Sequence, residues 1–328
     1  MNRLQAQGTL EDIKMANAQQ MTSQVGNDRT SSFGGDAAPA AEITLWGRRI
    51  HGPTLPGQGI RCPRETPLSP AEVEEVAEII ADGRIGRHSV TLPDQLKTRH
   101  WGSIMAVMAR LNQKLAWPSA GWKIGAAAED IRRAEGVPEP APGRLFRSGV
   151  YASPARLPSC LFINYRCSEC EFAFLMADDL PARPTEYSES EVADAVEALL
   201  PALEIGDTVF EDWYGASGYQ GSSMDDGGAA AFVYGTAIPD WRKFDLPNAK
   251  IDLYLNGQYI KSGYGRAAMG NPLTSLTWMA NWLRVRGQGL HRGEFVSTGT
   301  CTGHFFAAPG DRLDVDFGPI GSVHVEYD

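Results

Sequence analysis

Hydrophobic positions along this chain follow two different periods. Between residues 69 and 83, Val73, Val76, Ala77 and Ile80 fall on the i, i+3, i+4, i+7 stripe of a helix. Ser69 stands as its N-cap, Pro70 as its first residue and Glu72 as the partner that closes a capping box, with Gly83 as the stop. Ile104, Met108, Leu111 and Leu115 predict a second helix over residues 104–115, ended before Pro118. From residue 119 the texture changes. Gly121-Trp122-Lys123-Ile124-Gly125 predicts a short strand running into a turn or helix, and the proline- and glycine-rich residues 136–155 read as loop. Residues 160–176 are apolar and β-prone. Ser188 and Glu191 open another capped helix carrying Val192, Ala195, Val196 and Leu199, and residues 202–210 follow as a strand. Residues 215–228, rich in Gly, Ser and Asp, read as an exposed loop. Asn256-Gly257 marks the tip of a hairpin over residues 251–260. Asn271-Pro272 starts a helix that Gly287 closes, and strands are predicted at 294–300, 312–318 and 322–328.

The pattern describes an α+β chain in which a helical N-terminal portion, residues 41–118, precedes a β-rich body, residues 119–328. Residues 1–40, rich in Gln, Asn, Ser, Gly and Ala, read as a disordered leader and linker. Composition then narrows the partners. With 30 Lys+Arg against 40 Asp+Glu the net charge is −10, which disfavours nucleic acid as a partner. No apolar run approaches the ~20 residues of a membrane span, and the first residues lack the apolar stretch of a secretory signal. The five cysteines, an odd number at uneven spacing, do not form a disulfide framework, so a reducing cytoplasm is expected. Cys160, Cys167 and Cys170 lack a second Cys or His pair at zinc-site spacing.

Candidate chemistry concentrates in Ser168-Glu169-Cys170-Glu171-Phe172-Ala173-Phe174. In a strand Glu169 and Glu171 share one face, about 7 Å apart along the backbone, and Cys170, Phe172 and Phe174 share the other. Such a pair is either a solvated strand face or two carboxylates that a divalent cation reconciles; oxygen-only ligands favour Mg²⁺ or Mn²⁺. Glu204, in the apolar run Ala202-Leu203-Glu204-Ile205, supplies a third carboxylate for a cation, or alternatively is an edge-strand Glu or the salt-bridge partner of an Arg. Lys123 between two glycines can hold a substrate carboxylate or move protons, or it can snorkel to water. The run from Thr298 through Thr300 and Thr302 to Gly303 offers hydroxyl and N–H donors to an anion, or forms an ordinary turn. Asp225-Asp226-Gly227-Gly228 reads as a turn first, and His304 as a lone histidine close enough to that run to line a site. No GxGxxG, Walker loop, nucleophile elbow or HExxH is present.

Taken together these segments resemble the fumarylacetoacetate hydrolase superfamily, and within it the 2-keto-4-pentenoate hydratase and 4-oxalocrotonate decarboxylase branch. The likeness covers residues 68–328 and rests on GWKIGAAAEDIRRAEGV, SECEFAFLMADDLP, PALEIGDTVFEDW, DDGGAAAFVYG and the run from Gly270-Asn271-Pro272-Leu273 to Thr302-Gly303. It implies a mixed β-roll or barrel-like body with helices mainly from the N-terminal portion. It also implies Glu169, Glu171 and Glu204 as ligands of Mg²⁺ or Mn²⁺, Lys123 as the active-site lysine, and the Thr298, Thr300, Thr302 and Gly303 loop against the substrate's acid end. Homo-oligomers, and pairing with another enzyme of the same pathway, are implied as well.

The implied activity is that of a metal-dependent lyase of aromatic-compound breakdown: hydration of a 2-hydroxy-2,4-dienoate to a 4-hydroxy-2-oxo acid. Decarboxylation of a 2-oxo-3-enedioate, C–C hydrolysis of an acylpyruvate and an inactive partner-binding homologue are the alternatives. The three reactions share one electron sink, the 2-oxo acid, so the metal motif does not choose among them. Hydratases of this group carry an acid before an aromatic-Gly pair downstream of the lysine motif; here that place reads Pro140-Ala141-Pro142-Gly143. The usual Asp-Asn is Asp225-Asp226, and Cys167 lies two residues before Glu169 on its face.

Overall fold

A computed structural model describes residues 44–45, 48–49, 64–210 and 218–328. The expected leader, residues 1–40, and Cys62 lie outside the described residues. The chain divides into two units, Met1–Pro53 and Thr54–Asp328. In the first, Thr44–Leu45 (β1) pairs antiparallel with Arg48–Arg49 (β2).

The second unit opens with helix α1, Pro70–Gly86. The capping box forms as expected: Ser69 Oγ accepts from the Glu72 N–H, and the Glu72 carboxylate accepts from the Ser69 N–H. The helix does not stop at Gly83. It continues one turn to end at Arg87, whose φ is 55°. Gly83 serves packing instead, since a Cβ there would lie 2.7 Å from Val90 Cγ1, and the extra turn carries the buried Arg84. Helix α2, Trp101–Leu115, ends at Ala116 before Pro118. The two helices join through Val76, Ala77, Ile80, Ile104, Val107 and Leu111, together with Val209 and Phe210.

The body follows as β3 (Ser119–Gly125), α3 (Glu129–Glu135), β4 (Ala141–Phe146), β5 (Val150–Ala152), β6 (Ala155–Leu157), β7 (Cys167–Met176), α4 (Glu189–Asp194) and β8 (Val196–Gly206). After α5 (Gly218–Met224) come β9 (Ala229–Tyr234), β10 (Lys250–Leu255) and β11 (Gln258–Tyr264). Helix α6 (Pro272–Arg284) precedes β12 (Phe295–Ser297), β13 (Phe305–Phe306), β14 (Arg312–Asp316) and β15 (Ser322–Tyr327). One mixed sheet has the order β4-β3-β12-β7-β8-β9-β5, with β13 also on β7; the other is β11-β10-β14-β15-β6. Strand β4 also packs against β9, so the larger sheet curls on itself. The barrel-like α+β expectation holds. Asn256 and Gly257 close the β10–β11 hairpin at φ 51° and 82°, the left-handed pair of a type I′ turn. The main core lies between the sheets, with Phe172, Phe174, Leu199 and Leu203 against Leu253, Val315, Val323 and Val325. Each such side chain contributes roughly 1.5–3 kcal/mol when fully buried.

Three sequence expectations are corrected. Residues 136–155 contain strands rather than only loop, because β4 ends the sheet order and a terminal strand tolerates Pro142. The helix opened by Ser188 stops at Asp194; residues 196–200 are strand, where Val196 to Leu200 pair with β7 and are largely buried. Residues 218–228 are not an exposed loop: Gln220, Ser222, Ser223, Asp225 and Asp226 are buried. Residues 215–217 lie outside the described residues.

Candidate metal and active site

Strands β7 and β8 run antiparallel with Glu169 opposite Glu204, and opposite residues project to one face. Glu171 shares that face by strand alternation. The three carboxylates each bring an oxygen within 4.8 Å of the others. Glu171 and Glu204 are buried and Glu169 nearly so, which removes the solvated-face reading of this pair.

Neighbouring strands complete the cluster. Next to β7, β12 supplies Ser297, whose hydroxyl donates to Glu171 Oε2 at 2.6 Å, and the Gly299 N–H donates to the same oxygen at 2.8 Å. Parallel to β12, β3 sets Lys123 beside Ser297 in register. Lys123 Nζ approaches Glu204 Oε1 at 3.1 Å as an ion pair, yet without hydrogen-bond alignment, and neither Glu204 oxygen receives a hydrogen bond. His304 Nε2 lies 3.1 Å from Glu169 Oε1. Burial, then the other two carboxylates, push Glu171 well above the ordinary carboxylate range. Burial likewise raises Glu204, against the pull of Lys123. Glu169 is held low: burial opposes its charge, but His304, Lys123 and Lys261 outweigh it. Lys123 stays an ammonium, since Glu204 and the other anionic groups outweigh the cost of burying it.

This donor set fits a hard divalent cation. A buried carboxylate with two oxygens lacking hydrogen bonds, beside a second one raised by repulsion, is what a cation relieves. All three carboxylates offer oxygen donors, the preference of Mg²⁺, Mn²⁺ or Ca²⁺. Cys167, Glu169 and His304 form a second, softer group whose donor atoms also lie within 4.8 Å of one another and which shares Glu169.

Lys123 lies in a slot made by glycines that composition alone did not single out. Gly143 pairs with it across β4, and a Cβ at Gly143 would come within 3.0 Å of Lys123 Cε. At Gly227, φ 67°, a Cβ would sit 2.5 Å from Lys123 Cε. The Asp225-Asp226-Gly227-Gly228 segment is therefore a wall of the site as well as a turn. Asp226, φ 56°, accepts on Oδ1 from Asn112 Nδ2 and the Arg144 N–H, both at 3.1 Å. Its Oδ2 is buried with no partner among the described residues, and burial pushes it up to about 6. Behind it Arg84 pairs with Asp225 at 2.6 Å and donates to Ala229 O at 2.9 Å.

The hydroxyls of the Thr298 to Gly303 loop differ in their partners. Thr298 is fully buried and donates to Phe172 O at 2.8 Å, so it anchors the loop rather than facing a ligand. Thr302 donates to Gly303 O at 3.3 Å. Thr300 Oγ1 is buried with no partner among the described residues. Lys261 Nζ ties the loop by donating to Gly303 O at 3.2 Å and His304 O at 2.7 Å. Sequence reasoning missed Tyr219, an aromatic in a Gly/Ser run, which the fold carries to the edge of this cluster.

The chain is similar to several known proteins. Over residues 152–326 the chain matches the profile of the fumarylacetoacetate (FAA) hydrolase C-terminal domain. It is 26% identical over 265 residues to a 2-keto-4-pentenoate hydratase of Paraburkholderia xenovorans, covering 80% of this chain and 97% of that one. With a 2-hydroxyhexa-2,4-dienoate hydratase of Comamonas testosteroni it shares 29% identity over 222 residues, 67% of this chain and 82% of the relative. In fold it is similar to the 4-oxalocrotonate decarboxylase of Pseudomonas putida G7, solved with magnesium and adipate. That likeness has a TM-score of 0.71 at 22% identity and covers 81% of this chain and 100% of that one. With more than half its length matched, the chain belongs to the fumarylacetoacetate hydrolase family.

Proposed function

We propose that this protein is a divalent-metal-dependent lyase that hydrates a 2-hydroxy-2,4-dienoate to a 4-hydroxy-2-oxo acid. The observation that carries the reading is the buried Glu169–Glu171–Glu204 cluster, with both Glu204 oxygens lacking hydrogen bonds, beside a slotted lysine. Relatives named as dienoate hydratases, matched over most of their length, support it. Glu169, Glu171 and Glu204 would hold Mg²⁺ or Mn²⁺, which supplies Lewis-acid polarisation of the substrate's 2-oxygen when bound. The chain's own groups do the rest. Lys123, kept charged by Glu204, stabilises negative charge developing on that oxygen. Thr300 Oγ1 and the loop backbone receive the substrate carboxylate. In the overall reaction water oxygen bonds to C4, C5 and C3 each gain a proton, and the enol loses its own.

Decarboxylation on the same site is the second reading. Ala141, apolar where related hydratases carry an acid, and the fold match to a decarboxylase favour it. Calorimetric titration of oxalate, a mimic of the 2-oxo acid end, tests the site: binding is expected only with Mg²⁺ or Mn²⁺ present and lost in Glu171→Ala. Metal-independent binding, or none at saturating metal, would overturn the assignment. Turnover separates the reactions, since hydration consumes dienol absorbance without gas and decarboxylation releases CO₂.

A further inference from the structure

Lys123 and Gly125 lie on the same face of β3, two residues and about 7 Å apart. Gly125 pairs across β4 with Ala141. This pair of small residues leaves room on the Lys123 face of the sheet, and Tyr219 fills it. Its hydroxyl would lie 2.2 Å from a Cβ at position 125, so only glycine admits it there. The ring packs with Ala141 and Val137. Tyr219 itself is 9% exposed. Its hydroxyl makes no hydrogen bond with the described residues, and it lies within electrostatic reach of Lys123, Glu169 and Glu204. Burial first, and the two glutamates after it, keep the phenol protonated despite Lys123. A buried ring that ends in an unengaged hydroxyl, beside the active-site lysine, presents a proton donor to whatever the site holds.

We propose that Tyr219 is a catalytic residue, its hydroxyl delivering the proton to the far carbon of the substrate chain from the place that an acid at position 141 would otherwise serve. This rests on the hydratase reading. With the carboxylate end at the glutamates and the Thr300 loop, the chain runs along β3 past Lys123 towards Gly125 and Tyr219. The C4–C5 π pair takes the Tyr219 proton to form the C5–H bond. The enol O–H pair forms the C2 carbonyl and the C2–C3 pair moves to C3–C4. The enol proton ends on C3 when water adds at C4, and the water's released proton restores the phenol. Dienol and water are the only reactants consumed.

The test compares wild type, Tyr219→Phe, Gly125→Ala and the Gly125→Ala/Tyr219→Phe double variant, reading kcat, oxalate affinity with Mg²⁺, and melting temperature. Tyr219→Phe is expected to lower kcat about a hundredfold or more, with oxalate affinity within about twofold because the acid end is untouched. Gly125→Ala is expected to lower both kcat and melting temperature by expelling the hydroxyl. In the double variant the melting temperature recovers and kcat does not, which a merely structural tyrosine would not give. If Tyr219→Phe or the double variant turns over within about threefold of wild type, Tyr219 is not the donor. Should Tyr219→Phe fail to fold, the Gly125→Ala pair of variants decides alone. A wild type that binds oxalate with metal but hydrates no dienol overturns the hydratase reading and this role together, whereas an active wild type with an active Tyr219→Phe overturns this role only.

Discussion

Strands β7 and β15 carry the same two-residue alternation and put it to opposite uses. In β15, Val323, Val325 and Tyr327 enter the core while Ser322, His324 and Glu326 face water. In β7, Cys170, Phe172 and Phe174 enter the core, but Glu169 and Glu171 on the other face are also shielded from water. The period is a property of the strand; what the polar face meets is a property of its neighbours. Beside β15, β14 offers Asp314, and His324 pairs with it at 2.8 Å in the open. Beside β7, β8 and β12 bring Glu204, Ser297 and Gly299 to bear on one closed space. A carboxylate on the first face is solvated, whereas on the second it needs a counter-charge.

The sharpest way to break this comparison is to cut one glutamate from each strand system. Glu204→Ala is expected to abolish metal-dependent turnover, at least a thousandfold, and to lower stability as well, because it leaves Lys123 buried without its ion-pair partner. Glu326→Ala on β15 should leave turnover unchanged and shift stability by no more than about 0.5 kcal/mol. A Glu204→Ala protein that keeps wild-type kcat without added metal would mean that the two faces are alike. Lys123→Ala is expected to follow at about 10² to 10⁴ in kcat, with oxalate affinity less affected; unchanged kcat would remove Lys123 from the reaction.

Arg84 extends the contrast to the wall behind the site. It is a buried cation with one carboxylate partner, Asp225, and three backbone carbonyls. Arg84→Ala leaves the Asp225 side chain buried without its ion-pair partner, so a loss of about 3–5 kcal/mol is expected, read by denaturant unfolding. By comparison, Arg133→Ala, which breaks an exposed i, i+4 pair with Glu129, should cost about 0.3–0.5 kcal/mol. Equal losses from the two variants would show that burial does not set the scale.

These examples also mark how far the residue order alone carries the fold. Local chemistry was legible: the Ser69–Glu72 box, the Asn256-Gly257 tip, and the shared face of Glu169 and Glu171 each depend on residues a few positions apart. Val196 to Leu200 misled, because an apolar run suits a helix stripe and a doubly buried strand equally well, and pairing with β7 decides. Ion pairs and close approaches across the chain were invisible. Arg84 meets Asp225 from 141 positions away, and Gly125 and Gly143 matter only because Tyr219 and Asp226 arrive against them. The resemblance supplied the three-glutamate set and Lys123; packing supplied the burial that makes a cation the proposed counter-charge.

The smallest expected effect concerns pH. Burial and mutual repulsion raise Glu171 and Glu204 in the folded chain above their unfolded values. The folded state then holds protons that the unfolded state has released, so without metal, stability falls as pH rises through and above the ordinary carboxylate value of about 4.3. Asp207 and Asp226, each raised from 3.8 to about 6 mainly by burial, add a slope of the same sign up to that pH. At the proposed site added Mg²⁺ would replace the protons on the glutamates and do nothing for the two aspartates. The Mg²⁺-induced rise in melting temperature is therefore expected to be larger at pH 7.5 than at pH 5, and Glu171→Gln should shrink that difference while keeping the aspartate slope. An equal rise at both pH values in the wild type would mean that the glutamates are already ionised without metal, and that their faces are closer to β15 than to the closed cluster described for β7.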